Sequence, residues 1–267
     1  MTDSAIMGEP FRIGACLSKS ISAFFKNFIS FNILGLVIMV PGVVIIALLF
    51  GGTFLSLLTY DPALGGPPPD IGSGFAAGFI SVFFIFFALQ YLLTGAIVYS
   101  SVQYLNGARP SLVAALGQMF RRIVPVILVA IVSAILVWIG LILLIVPGII
   151  IAMMLCMAIP VVMVEGPGVF ASLSRSRALT KGYRWHIFGT FLVALIATTI
   201  VTMLLGVVIG IVTIFMGELG ATIGTFANLA LQLFTTVFLA VVLAVAYHDL
   251  RVAKEGVSTA QLAAVFD

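Results

Sequence analysis

The sequence predicts an all-α integral membrane protein with six transmembrane helices. Three observations predict it. The hydrophobic fraction is 63% and the charged fraction 8%, where a soluble domain carries about a quarter charged residues. Long apolar runs alternate with short connections. All twelve Lys and Arg residues fall in alternate connections or beside the outer spans. A soluble fold of 267 residues lacks the interior to hide so much apolar side chain, so the bilayer serves as solvent. The net charge of +3 is too small to point to nucleic acid, and none is expected as a partner.

A spanning helix needs about 20 mostly apolar residues. The first covers 31–58, where Pro41-Gly42 is expected to kink it. The second covers 74–104, long enough to tilt or protrude. Between them, 61–70 is rich in Pro, Gly and Asp and reads as a loop; Gly72-Ser73-Gly74 continues the loop chemistry. Residues 124–164 carry no charge at all. A single helix of that length would need roughly 60 Å of hydrocarbon at about 1.5 Å per residue, twice what a bilayer supplies. Pro147-Gly148 therefore marks a hairpin, with spans at 124–144 and 147–164. The fifth and sixth spans cover 187–216 and 221–247, with Glu218 between them. The whole chain, 1–267, reads as one membrane domain. Glu9, Arg12, Lys19 and Lys26 leave no uncharged stretch before the first long apolar run, so no secretory signal is expected.

The basic residues set the orientation. Arg12, Lys19 and Lys26 precede the first span; Arg109, Arg121 and Arg122 separate the second and third; Arg175, Arg177, Lys181 and Arg184 separate the fourth and fifth; Arg251 and Lys254 follow the sixth. The other three connections hold none. The positive-inside rule then places both termini in the cytoplasm, and a bacterial inner membrane is the expected location.

Three stretches of amphipathic character, 11–28, 111–122 and 169–184, each precede a pair of spans. In the first, Ile13, Leu17, Ile21, Phe24, Phe25 and Phe28 form an apolar stripe. In the second the stripe is Leu112, Ala115, Leu116, Met119 and Phe120, with Gln118, Arg121 and Arg122 facing away. Ala15-Cys16-Leu17-Ser18-Lys19-Ser20 is similar to Ala171-Ser172-Leu173-Ser174-Arg175-Ser176. Three parallel repeats of one amphipathic helix plus two spans, or chance likeness of short segments, both account for this. Such helices are expected in the headgroup plane or packed on the ends of the spans.

The third stretch holds the candidate site. On one helix Ser174, Arg177, Lys181 and Arg184 share a face, while Arg175 points the other way with Leu179. Arg175 then needs an anion, and Glu165 and Asp249 close the fourth and sixth spans on that side. One reading is a structural ion-pair network of Glu165, Arg175, Asp249 and Arg251. A second is contact with lipid headgroups or a partner protein, through Arg177, Lys181, Arg184, Arg121, Arg122 and Trp185. A third is independent solvated charges. Gly256 is a natural C′ residue for the last span, and Ser258 with Gln261 is a candidate capping box for a short final helix.

Pro147-Gly148, Ala158-Ile159-Pro160, Glu165, Ser174-Arg175-Ser176, Leu179-Thr180-Lys181-Gly182 and Trp185, together with Ala246-Tyr247-His248-Asp249-Leu250-Arg251 and Lys254-Glu255-Gly256, resemble the membrane-domain family of glycerophosphoryl diester phosphodiesterase. The likeness covers about 145–190 and 240–258. It implies a multi-span membrane module found alone or joined to a phosphodiesterase domain. The chain departs from the joined members in holding no counterpart of the catalytic barrel, with its metal-binding carboxylates and paired histidines.

No catalytic motif or metal-ligand spacing occurs, so no enzyme activity, cofactor or metal is expected. His186 and His248 read as interfacial structural residues, and Cys16 and Cys156 as packed or lipid-facing thiols. The expected function is a non-catalytic membrane module whose cytoplasmic rim engages anionic phospholipid or a protein partner. The first alternative is a transporter or permease subunit, although no span holds the ionisable residue that ion coupling uses. The last is a membrane-embedded lipid phosphodiesterase, which requires His186, His248, Glu165 and Asp249 to gather around a metal.

Overall fold

The computed structural model describes residues 11–59 and 73–256. The loop expected at 61–70, Gly72 and the short helix expected around Ser258 and Gln261 lie outside them. Among the described residues there is no strand. Backbone groups are paired inside helices, as an apolar solvent demands.

The elements are α1 (Ile13–Lys26), α2 (Phe28–Thr59), α3 (Ser73–Leu105), α4 (Leu112–Leu143), α5 (Ile145–Leu155), α6 (Ala158–Val164) and α7 (Val169–Thr180). Helical bonding then continues from Arg184 to Glu255, but Gly217, at φ 56° and ψ −132°, divides it into α8 (Arg184–Gly217) and α9 (Leu219–Glu255). Glycine alone adopts that conformation readily. Six stretches are long and apolar enough to cross a membrane: α2, α3, α4, α5 with α6, α8 and α9.

Two elements differ from expectation. The stretch 111–122 is not a separate helix. Ser111 caps α4 by accepting from the Ala114 amide at 3.4 Å, and the helix runs unbroken through Pro125 to Leu143. Its buried residues Ala115, Met119, Val126, Val129 and Ala130 stay in helical phase across the expected boundary, so one packed face carries through. The fourth span, by contrast, is broken at Cys156-Met157. Pro160 donates no amide hydrogen, and its ring collides with the carbonyl four residues back, at Cys156. Side chains serve the carbonyls next to the break: Cys156 Sγ donates to Met153 at 3.1 Å, and Ser176 Oγ to Met154 at 2.7 Å.

The hairpin between α4 and α5 turns on one extended residue, Leu144 (φ −167°, ψ 147°). Glycine makes this possible: a Cβ on Gly148 would stand 2.7 Å from the Leu141 nitrogen.

α3 is the central helix, packed by α2, α4, α6 and α9. Leu93, Ile97, Val161, Val162, Val241 and Val245 are fully buried around it. α6 is buried from Ala158 to Met163, a peg enclosed by α3, α4 and α7. α1 lies on α9, where Phe24 meets Phe234 and Phe238 edge-on at 4.9 and 5.5 Å. The buried face of α1 is Cys16, Ser20, Ala23 and Phe24; Ile21, Phe25 and Phe28 of the expected stripe are exposed. The core sits toward the end of the bundle where α1 begins and α9 ends. At the other end Ile142, Leu143, Leu144, Ile214 and Phe215 are exposed. α8 is the least enclosed span, 11% buried where α9 is 44% buried.

Candidate functional site at the basic end

The charged residues meet where α6 turns into α7. Glu165 closes α6, and Gly166 (φ 69°) and Gly168 (φ 94°) flank Pro167 in a turn that side chains other than glycine fit poorly. The orphan carbonyls at this end of α6 are capped from α4. Gln118 Nε2 donates to Met163 at 3.0 Å, and an Arg122 guanidinium nitrogen to Gly166 at 3.0 Å. Gln118 and Arg122 therefore turn inward, contrary to the expected outward face; Arg121 is exposed. Four unpaired carbonyls end every helix, and α6 is too short to bury without outside donors.

Arg175, halfway along α7, links two other elements. Its Nε donates to Glu165 Oε2 at 3.1 Å, and a terminal nitrogen donates to Glu255 Oε1. Arg251 Nε donates to Glu255 Oε2 at 3.2 Å and lies 3.9 Å from Glu165 Oε1. The Tyr247 hydroxyl donates to Glu165 Oε1 at 2.8 Å, and the Arg251 guanidinium sits 5.9 Å from the centre of the Tyr247 ring. Burial works against the Arg175 charge, but bonds from Glu255 and Glu165 outweigh it and raise its pKa. Burial likewise opposes ionisation of Glu255, yet the bonds from Arg175 and Arg251 hold its carboxyl below the ordinary 4.5.

Asp249 is not in this group, which corrects the expected network. It accepts from Lys19 Nζ at 3.0 Å and lies 3.5 Å from His248 Nδ1. The reason is helical phase. Tyr247, Arg251 and Glu255 recur every fourth residue and share one face, while a residue two places away points across the helix. That spacing was in the sequence, and it marks Glu255, the member missed. Cys16, fully buried beside Ser20, has its thiol pushed up to about 12 by burial and then by Asp249.

The stripe of Arg177, Lys181 and Arg184 is also corrected. α7 stops at Thr180; Lys181 is extended and Gly182 has φ 90°, so the three do not share a helix. The buried face of α7 is Ser172, Ser176, Leu179 and Thr180, and small hydroxyl residues let it approach α5 closely. Arg177, Lys181 and Trp185 are exposed. Arg184 is half-buried, and its Nε is shielded from solvent with no hydrogen-bond partner among the described residues.

His186, His248, Glu165 and Asp249 do not gather. His186 faces Tyr183, their rings 6.0 Å apart; His248 is beside Asp249, and Glu165 is held by Arg175 and Tyr247. Among the described residues no three His, Cys, Asp or Glu side chains are placed to hold a metal. Comparison with protein-family models, with curated proteins and with solved structures gives no match.

Proposed function

We propose that the chain is a non-catalytic membrane module whose basic end lies in the cytoplasmic leaflet and engages anionic phospholipid. One observation carries the reading. Among the described residues, twelve cations at this end face three carboxylates, Glu165, Asp249 and Glu255, an excess of nine. The three carboxylates already hold Arg175, Arg251 and Lys19. Arg12, Arg109, Arg121, Arg177 and Lys181 are exposed, and exposed Lys26 lies lower on the bundle, between Phe24 and Phe28, which pack on Phe234 of α9. Each Lys or Arg near an anionic leaflet contributes about 1 kcal/mol of attraction. The exposed apolar residues Ile21 and Phe25 of α1, with Phe28 and Ile29 at the start of α2, suit this part of the chain to the headgroup boundary. A protein partner is the competing occupant of this face.

The likeness to the phosphodiesterase membrane domain fits a module that works without the catalytic domain. α1 and α7 each lead a pair of spans, which supports the repeat reading, while fusion of 111–122 to α4 weakens it. Transport draws no support from the polar groups within the spans. Thr94, Thr198, Thr213 and Asn228 bond to carbonyls of their own helices, and Gln90 donates across to Thr236 at 3.5 Å, a helix-joining bond.

The two tryptophans provide the test, because Trp185 sits at the basic end and Trp138 near the far end of α4. In vesicles of zwitterionic lipid with a minor anionic component, brominated anionic lipid should quench Trp185 beyond its mole fraction and Trp138 in proportion to it. Proportional quenching of both defeats the proposal.

A further inference from the structure

We infer that the exposed lysine face of α1 holds a phospholipid below the ordinary headgroup plane, with the lipid phosphate on Lys26, so that the cytoplasmic leaflet is lowered along α1. The contacts of α1 fix its course. At its start Phe11 meets Tyr183 edge-on at 6.1 Å, and Ile13 packs on Gly189. Lys19 bonds Asp249, beside the charged junction, at 3.0 Å. Phe24 then meets Phe238 and Phe234 at 5.5 and 4.9 Å, and Phe28 meets Phe234 at 6.3 Å. From Asp249 to Phe238 and Phe234 is about 16 to 22 Å along α9, away from the rim. α1 therefore descends into the leaflet. Lys26 lies between Phe24 and Phe28, seven residues beyond Lys19, or about 10 Å of helix. That is more than a lysine side chain reaches back when it snorkels.

Lys26 is the cation of this face without a partner. Lys19, Ser22 and Lys26 are exposed and recur at three and four residues, so they share one face. Lys19 spends its charge on Asp249, while Glu165 and Glu255 hold Arg175 and Arg251. None of these carboxylates is left for Lys26, which has no ion pair among the described residues. The carbonyls ending α1 do not call for it either. Asn27 serves Ala23 through its amide at 3.2 Å and its side chain at 3.0 Å, and the Phe31 amide bonds Asn27 at 3.0 Å. An unpaired ammonium among acyl chains is costly, and a bilayer meets it by thinning until polar groups reach it. Lys19 and Ser22 line the way down from the rim. Phe25, Phe28 and Ile29, exposed beside Lys26, suit an anion that brings acyl chains with it, so the occupant is a phospholipid and not a soluble anion. Every phospholipid carries the phosphate, so this surface goes beyond the preference of the rim for anionic lipid, and the two can fail separately.

The test uses full-length protein in phospholipid vesicles, carrying Trp138→Phe, Trp185→Phe and Phe25→Trp, so that one tryptophan reports beside Lys26. Phospholipid with a nitroxide on its headgroup should quench this reporter severalfold more strongly than phospholipid with the nitroxide midway along an acyl chain. Lys26→Met should reverse that order. Lys181→Met, which removes equal charge at the rim, should leave it unchanged. Mid-chain quenching that dominates in the parent, or an order that Lys26→Met leaves unchanged, overturns the proposal. Quenching by aqueous acrylamide without quenching by the headgroup nitroxide shows a water-filled dent and overturns the phosphate assignment. Quenching of Trp185 by anionic lipid is measured separately, so failure of either result leaves the other standing. If the Phe25→Trp protein loses its monodisperse elution, Ile29→Trp, at an exposed position four residues further on, is read against the same criteria.

Discussion

Replacing Arg175 by alanine tests the charged junction most directly. The change leaves Glu165 and Glu255 facing each other with only Arg251 between them, 3.9 and 3.2 Å away. The Arg175 side chain is 35% exposed and its two partners 23%, so solvent screens the loss in part. Exposed pairs are worth up to about 1 kcal/mol, and breaking a buried pair costs about 3–5 kcal/mol. A junction one-third open falls between, at about 2 kcal/mol. At about 2–4 °C per kcal/mol for a chain near this size, the melting temperature should fall about 6 °C. Lys181→Ala removes an exposed cation and should cost less than about 0.5 kcal/mol. The assay heats each variant in detergent and measures the fraction that still elutes as a monodisperse peak. Adding Glu255→Gln to Arg175→Ala should recover about half the loss, because it neutralises one stranded carboxylate. Equal melting temperatures for Arg175→Ala and Lys181→Ala would refute the reasoning.

Two further outcomes are expected. Gly148→Ala places a Cβ 2.7 Å from the Leu141 backbone nitrogen, which cannot move without opening the hairpin, and should cost about 1–3 kcal/mol; Gly14→Ala, with nothing within 4 Å, should be neutral or stabilising in the same melting assay. Acid should loosen the junction at Glu255. Its folded pKa lies below the ordinary 4.5, so its contribution is complete above that value and is lost as pH falls through the lower folded value. Melting temperatures taken between neutral pH and pH about 3 should fall more steeply in the wild type than in Glu255→Gln, and parallel curves would count against it.

Periodicity and charge made the spans legible because each depends on local composition alone. Six helices are long and apolar enough to span, as the sequence predicts, and a turn falls beside Gly148, but Arg121 and Arg122 lie inside α4, Arg184 inside α8, and Arg251 and Lys254 inside α9. What was missed depended on longer phase or on partners far along the chain. Nothing at 111–122 shows that its apolar face stays in register with Val126 and Ala130. The break at Cys156-Met157 was missed although Pro160 lies just beyond it, and Ser176, which serves the Met154 carbonyl there, lies 22 positions away. At the charged junction the direction of Arg175 followed from its own helix, and its tie to Glu165 spans only ten residues. Asp249 misled because it is the first carboxylate after the last span; the phase of Tyr247, Arg251 and Glu255 outweighs that proximity.

The one-residue hairpin at Leu144 bears on how the chain enters a bilayer. From Ile139 to Ile151 every side chain is apolar or glycine, and the turn's backbone is bonded internally, the Leu144 amide to Gly140 and the Gly148 amide to Leu144. Nothing in the turn would hold it on the far side while α5 waited to follow. With glycines in contact across the turn, α4 and α5 are best suited to partition together, as a preassembled pair led by an uncharged tip. The pair is then expected to insert as one event, and lengthening the turn with a few polar residues should divide it into two.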